Sequence, residues 1–362
     1  MTSFDNRMSR RRFTLWAGAA LATGGVRAQA PATRPYLGDM HSHYGMFRKD
    51  LKTVNLAKAM QDSGATLVAW AIVDDSPWII ETPQGIKQAR QPGEGALWTN
   101  FQNQVRRYDG ALKTWALPKA LTPADVDAAL AGTAHVLMSS ESANFLESKP
   151  ERVAQAHTMG LRHLQLVHYI DSPLGDRQTE APILNGMPPV TLQAINECKR
   201  LGILVDLAHS PPEFVDAAFA GSDATMIWSH SWISRNGGTW KDYSYVARSL
   251  SPAQAKKIAA RGGVVGLWTV RVRSDSRYPL YSVSSYADEI MRMADIVGPE
   301  HVAFGTDMDG AGNNPIMSEY TELREVADNL VKRGLGEATL QNICIGNYAR
   351  ALKQAMNGAS KT

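Results

Sequence analysis

The stretch "GDMHSHYG" (residues 38–45) alternates Asp39, His41 and His43. On an extended strand, alternate side chains share a face, so three groups able to bind a metal or move a proton are expected to point one way. Glu141, His168, His209, His230 and Asp307 recur further along, each at the close of its own short apolar run. Neutral imidazole and carboxylate are the usual ligands of catalytic zinc. His41, His43, Glu141, His209 and His230 are more donors than one such zinc takes, and they suit two divalent cations sharing a carboxylate. Two ions about 3.5–4 Å apart can polarise a carbonyl and activate water, so hydrolysis of an amide or ester is the expected chemistry. Asp307 is the candidate proton carrier. Zn2+ is the first expectation for the ions, with Mn, Fe and Co compatible with the same donors. Asp39, deeper in its strand, is expected to orient one of the paired imidazoles.

These residues need a scaffold that gathers them. Eight apolar runs bounded by turn residues span 36–43, 65–74, 135–142, 161–168, 202–209, 224–231, 262–269 and 301–310. Amphipathic stretches such as "TVNLAKAMQDSG" and "TLQAINECKRLG" separate most of them, several opening on Ser or Thr and ending on Gly, as helices do. Strands that are nearly continuously apolar and alternate with helices form parallel sheets covered on both faces. Eight units predict a single-domain α/β fold, a (β/α)8 TIM barrel with extended loops over its C-terminal face. Five of the nine histidines fall at the C-terminal ends of these runs, where such barrels build their sites. The other four are read as structural: His135 and His301 open their strands, His157 lies in a helix, and His163 lies inside the fourth run.

Residues 1–30 carry Ser9-Arg10-Arg11-x-Phe13, a weakly apolar run and Ala28-Gln29-Ala30. That order predicts a twin-arginine export signal, a periplasmic mature chain and a metallohydrolase domain over 31–362. The apolar run is too short to span a bilayer, so no stable membrane insertion of the mature chain is expected. The leader holds five arginines and one acid, which leaves 33 basic and 34 acidic residues. A net charge near −1 offers no nucleic-acid footprint. The partner expected is a small-molecule substrate. Cys198 and Cys344 are read as packed thiols rather than a disulfide.

Taken together, "SSESANF", "GLRHLQLVH", "LVDLAHS", "IWSHS", "HVAFGTDMDG" and "ICIGNYARAL" resemble the renal (membrane) dipeptidase family, the M19 metallopeptidases among the amidohydrolase-like barrels, from about Asp39 to Ala351. The resemblance implies a zinc-dependent dipeptidase. It makes Glu141 the bridging ligand, His209 and His230 ligands of the second metal, and His168 a substrate-binding histidine. Asp307 falls beside the metals and the substrate amino group, and Gly346 and Asn347 match a C-terminal family segment. Arg248 in "YVARSLSP" is nominated to bind the substrate carboxylate, with Arg235 as competitor. Dipeptides with a D-residue on the C-terminal side, and a homodimer, are further implications. Two departures stand out: His41-x-His43 replaces the family's His-x-Asp, and "DDSPWIIETPQGIKQARQPGEGALW" lacks the expected aromatic segment. A lactone, a phosphoester, a non-peptide amide, or a non-catalytic binding barrel are the alternative readings.

Overall fold

The computed structural model describes residues 34–47, 53–184, 186–272, 278–310 and 315–359. The expected export signal lies outside them. Contacts divide the chain after Arg34, and all the strands belong to the unit from Pro35 onward.

The eight expected runs form eight strands, and a hairpin adds two more. They are β1 (Leu37–Ser42), β2 (Ala65–Ile72), β3 (Ile79–Thr82), β4 (Gly85–Gln88), β5 (His135–Ser140), β6 (Leu161–Gln165), β7 (Leu204–Asp206), β8 (Met226–Ser231), β9 (Val265–Leu267) and β10 (Val302–Phe304). Parallel pairing runs in the order β1-β2-β5-β6-β7-β8-β9-β10. Closure comes from a parallel bridge between Ser42 and Met308, with Asp307 N donating to His41 O at 2.9 Å and His43 N donating to Met308 O at 2.8 Å. The result is the expected (β/α)8 barrel. β3 and β4 form a separate antiparallel hairpin within the loop after β2, the segment that matched no family pattern.

The strands are buried on both faces, as a parallel sheet under helices requires. Met40, Leu67, Ala69, Leu137, Leu204, Ile227, Val264 and Ala303 cluster together, joined by Tyr348 and Leu352 of the helix Asn347–Asn357. Gly266 and Gly305 are needed for close packing here. A Cβ on either would sit 1.8 or 1.7 Å from the Ser229 carbonyl oxygen, so only glycine lets the β8 backbone approach this closely. The helix signals are realised too. Ser251 and Gln254 form a capping box, and Gly64, Gly160 and Gly202 end their helices in the left-handed conformation. Cys198 and Cys344 are buried free thiols.

One feature of β1 departs from the simple alternation. Its register with β2 shifts between Asp39 and Ser42, so the two no longer follow an odd–even rule with the histidines. The Tyr320 hydroxyl donates to Asp39 Oδ2 at 3.0 Å and accepts from the Ser42 hydroxyl at 2.8 Å, on the side of the outer helix Tyr320–Lys332. His41 and His43 are left on the other side.

Candidate metal centre

Glu141 follows β5, and five imidazoles surround its carboxylate. Oε1 lies 3.0 Å from His209 Nε2, 3.1 Å from His230 Nε2 and 3.5 Å from His41 Nε2. Oε2 lies 3.0 Å from His43 Nε2 and 3.4 Å from His168 Nε2. Asp307 Oδ1 closes the group at 3.4 Å from His43 Nε2. All the residues expected at the strand ends are therefore brought together. Residues 41, 43, 209 and 230 are at most 1 % exposed.

Several backbones are bent to achieve this. His209 and Asp307 have φ of 69° and 55°, in the left-handed region where non-glycine residues are uncommon. Such strain concentrates where side chains must be aimed. Gly310 completes the fit: a Cβ there would meet Asp307 Oδ1 at 2.0 Å and the His43 ring at 2.6 Å. Gly310→Ala is therefore expected to fold but lose divalent-ion affinity and turnover by at least tenfold, since small displacements of positioned groups are costly. Metal analysis after dialysis, beside far-UV circular dichroism, checks it.

The proton positions decide what the cluster can hold. His43 Nδ1 faces the Ala71 carbonyl at 3.0 Å, so its N–H donates there and Nε2 presents a lone pair. His168 Nδ1 donates to Asp75 Oδ1 at 2.8 Å, leaving its Nε2 toward Glu141. His41 and His230 turn Nδ1 toward the Ser229 hydroxyl, at 3.4 and 2.7 Å. Nitrogen lone pairs then confront one another at 3.1 Å between His41 and His43, and the Nε2 atoms of His209 and His230 lie 3.3 Å apart. Acceptors this close need a cation or proton between them. Among the described residues three ligand groups form: His41, His43 and Glu141; Glu141, His209 and His230, sharing Glu141 with the first; and His41, Asp206 and His230. The donor set fits two borderline divalent cations bridged by one carboxylate.

Charge follows the same logic. Burial and neighbouring imidazoles push His41 down to about 3. Burial also opposes charge on His43, but the Glu141 and Asp307 carboxylates outweigh it and raise His43 to about 10. Glu141 is held well below the usual carboxylate range because the imidazoles outweigh its burial.

A profile described as membrane dipeptidase (peptidase family M19) matches residues 50–362. The chain belongs to the M19 membrane dipeptidase family. Within it, this member is 24% identical over 223 residues to dipeptidase verJ of Clonostachys rogersoniana, covering 60% of this chain and 54% of that one. It is 23% identical over 230 residues to dipeptidase 3 of Rattus norvegicus, covering 60% of this chain and 44% of that one. The chain thus spans about half the length of the curated relatives it matches. Two solved structures share the fold. The dipeptidase AC, an M19 metallopeptidase, superposes with a TM-score of 0.73 at 21% identity, over 90% of this chain and 100% of that one. A Rhodobacter sphaeroides metallopeptidase liganded with a phosphinate mimic of L-Ala-D-Ala gives 0.73 at 19% identity, over 89% and 100%.

Among the described residues of this M19 chain, Arg248 is the arginine that reaches the centre. Its guanidinium is buried over the Trp268 ring at 5.1 Å, with Nη2 3.0 Å from His230 Nε2 and Nη1 3.5 Å from the Tyr169 hydroxyl. Asp39 is a correction. It accepts from the backbone N–H of His41 at 3.2 Å and of Thr306 at 2.9 Å, and touches no imidazole, because the register shift turns it to the outer face. It ties β1 to the segment after β10, and Ala71 and Ser229 hold the rings instead. Asp75, which holds His168, was not read from the sequence as a site residue. Its signal was the Asp74-Asp75 pair closing the second apolar run, a charged pair where a buried strand ends.

Proposed function

We propose that this M19 chain is a binuclear metal-dependent dipeptidase, most simply with zinc, acting in the periplasm on small peptides with a free C-terminal carboxylate. One observation carries the reading: Glu141 stands between two pairs of imidazoles, with the buried Arg248 guanidinium beside them. His41 and His43 would hold one cation, His209 and His230 the other, and Glu141 both. When bound, such ions polarise the scissile carbonyl and lower the pKa of a water.

The remaining work falls to side chains of this chain. Arg248 presents a planar fork of donors suited to a carboxylate, and its fixed place over Trp268 sets the distance from that carboxylate to the scissile bond. His168, pinned by Asp75, offers Nε2 to the substrate carbonyl oxygen; to donate there it must carry its second proton, and the Asp75 and Glu141 carboxylates outweigh burial to raise its pKa. Asp307, held down mainly by His43 against its burial, is ionised and can accept a proton from the attacking water and deliver it to the leaving amine. The fold neighbour liganded with a dipeptide phosphinate supports the substrate class, and its D-Ala moiety supports a D-residue on the carboxyl side.

The test is a panel assayed with ion-loaded protein: L,L- and L,D-dipeptides, their C-terminal amides, lactones and phosphotriesters. Free-carboxylate dipeptides are expected to exceed their amides in kcat/KM by about 10²-fold or more, the scale of a lost charge-assisted pair. Turnover of lactones or phosphotriesters with none of dipeptides would overturn the reading.

A further inference from the structure

The floor beneath the two half-sites holds a group that the dipeptidase reading leaves unused. Ser229, in β8 and wholly buried, lies between ligand histidines from different half-sites. Its hydroxyl is 2.7 Å from His230 Nδ1 and 3.4 Å from His41 Nδ1. The two rings stack with centroids 3.8 Å apart, interplanar angle 27°, so both edges reach the same oxygen. His230 Nε2 accepts from the Arg248 guanidinium at 3.0 Å, and His41 Nε2 must keep its lone pair to hold a cation shared with Glu141, so each Nδ1 carries the proton. A hydroxyl oxygen has two lone pairs and can accept both.

Ser229 is itself held. Asp206 Oδ1 accepts from Ser229 N at 3.0 Å and from Ala208 N at 2.9 Å, the residue before His209. Asp206 Oδ2 accepts from His163 Nε2 at 3.3 Å, and His163 Nδ1 accepts from the Tyr348 hydroxyl at 3.1 Å. From the opposite side, Gly266 and Gly305 pack against the Ser229 carbonyl. The backbone at 229 therefore has no room to drift.

We infer that Ser229 is a positioning residue common to both metal half-sites: by accepting from Nδ1 of His41 and of His230 it fixes one tautomer for the two rings, so that both sites gain or lose affinity together. The inference rests on the binuclear reading above. Partners of this kind, touching ligands rather than ions, are worth about 10–100-fold in metal affinity. A structural serine elsewhere in the floor would not tie two sites to one hydroxyl.

The experiment uses the chain stripped and reloaded with Zn2+, followed by competitive chelator titration, with histidine-selective 15N spectra of wild type and Ser229→Ala. Wild type is expected to bind two ions and to show Nδ1-protonated tautomers for His41 and His230. Ser229→Ala is expected to weaken both sites by about 10–100-fold, with loss or shift of both Nδ1–H signals. Weakening of one site alone, unchanged affinities, or an Nε2-protonated tautomer at either ring would overturn the inference. A wild-type chain that takes up no ion would instead overturn the binuclear reading, and the tautomers in its spectra would still decide the role of Ser229.

Discussion

Glu141→Gln is expected to leave a folded protein with turnover reduced by about 10³-fold or more, a loss of about 4 kcal/mol of transition-state stabilisation. The carboxylate presents one oxygen to His41, His209 and His230 and the other to His43 and His168. An amide is nearly isosteric but has one oxygen, and its other end carries two N–H groups. Turned one way, the N–H groups face the three imidazoles on the Oε1 side; turned the other, they face the two on the Oε2 side. In either orientation protons occupy the place of a cation in one half-site, and the bridge between half-sites is lost. The buried imidazoles still find hydrogen-bond partners, so the barrel has no reason to unfold. The measurement is metal content by mass spectrometry beside dipeptide turnover and circular dichroism. The expected outcome is at most one tightly held ion with an unchanged fold. Two ions and near-normal turnover would remove Glu141 from its bridging role.

The barrel was legible in the sequence because the parallel strands are almost entirely buried on both faces and read as short, mostly apolar runs. The site was legible because polar groups stood just past those runs. Three strands are only three residues long, Leu204–Asp206, Val265–Leu267 and Val302–Phe304, shorter than their apolar runs. At two of these ends the chain leaves strand geometry to aim a side chain: His209 and Asp307 take left-handed conformations that no residue pattern announces. The face occupied by Asp39 was misread for a related reason. A one-residue shift of register reverses inside and outside, and nothing in "GDMHSHYG" marks it. The β3–β4 hairpin was also missed, since "IIETPQGIKQ" stands outside the alternation of barrel strands and helices. Asp75 lies three residues beyond β2, and its partner His168 three beyond β6. Only the closed barrel makes them neighbours.

On the binuclear reading proposed above, removing the ions should expose how much of the stability of this chain resides in its centre. At free ion about a thousandfold above Kd, each bound ion adds about 4 kcal/mol to the folded state. Two add about 8 kcal/mol, and for a chain of this length about 1.5 °C per kcal/mol gives a fall in Tm on the order of 10 °C. Chelation should abolish turnover as well, and Zn2+ should restore both. The stripped centre also has a definite pH signature. His43, raised from 6.5 to about 10 by Glu141 and Asp307 against its burial, binds a proton that takes over part of the missing positive charge. A folded-state pKa above the unfolded value stabilises fully below about 6.5 and loses that contribution as pH rises toward 10. Stripped protein is therefore expected to lose Tm between pH 7 and 10, while loaded protein, in which a cation occupies the same position, shows no matching decline. Loading must displace that proton, so apparent Zn2+ affinity should rise with pH across this window, and calorimetric heats should vary with the ionisation enthalpy of the buffer. Parallel Tm curves for stripped and loaded chain, or heats independent of buffer, would mean that no proton stands in for a cation at His43.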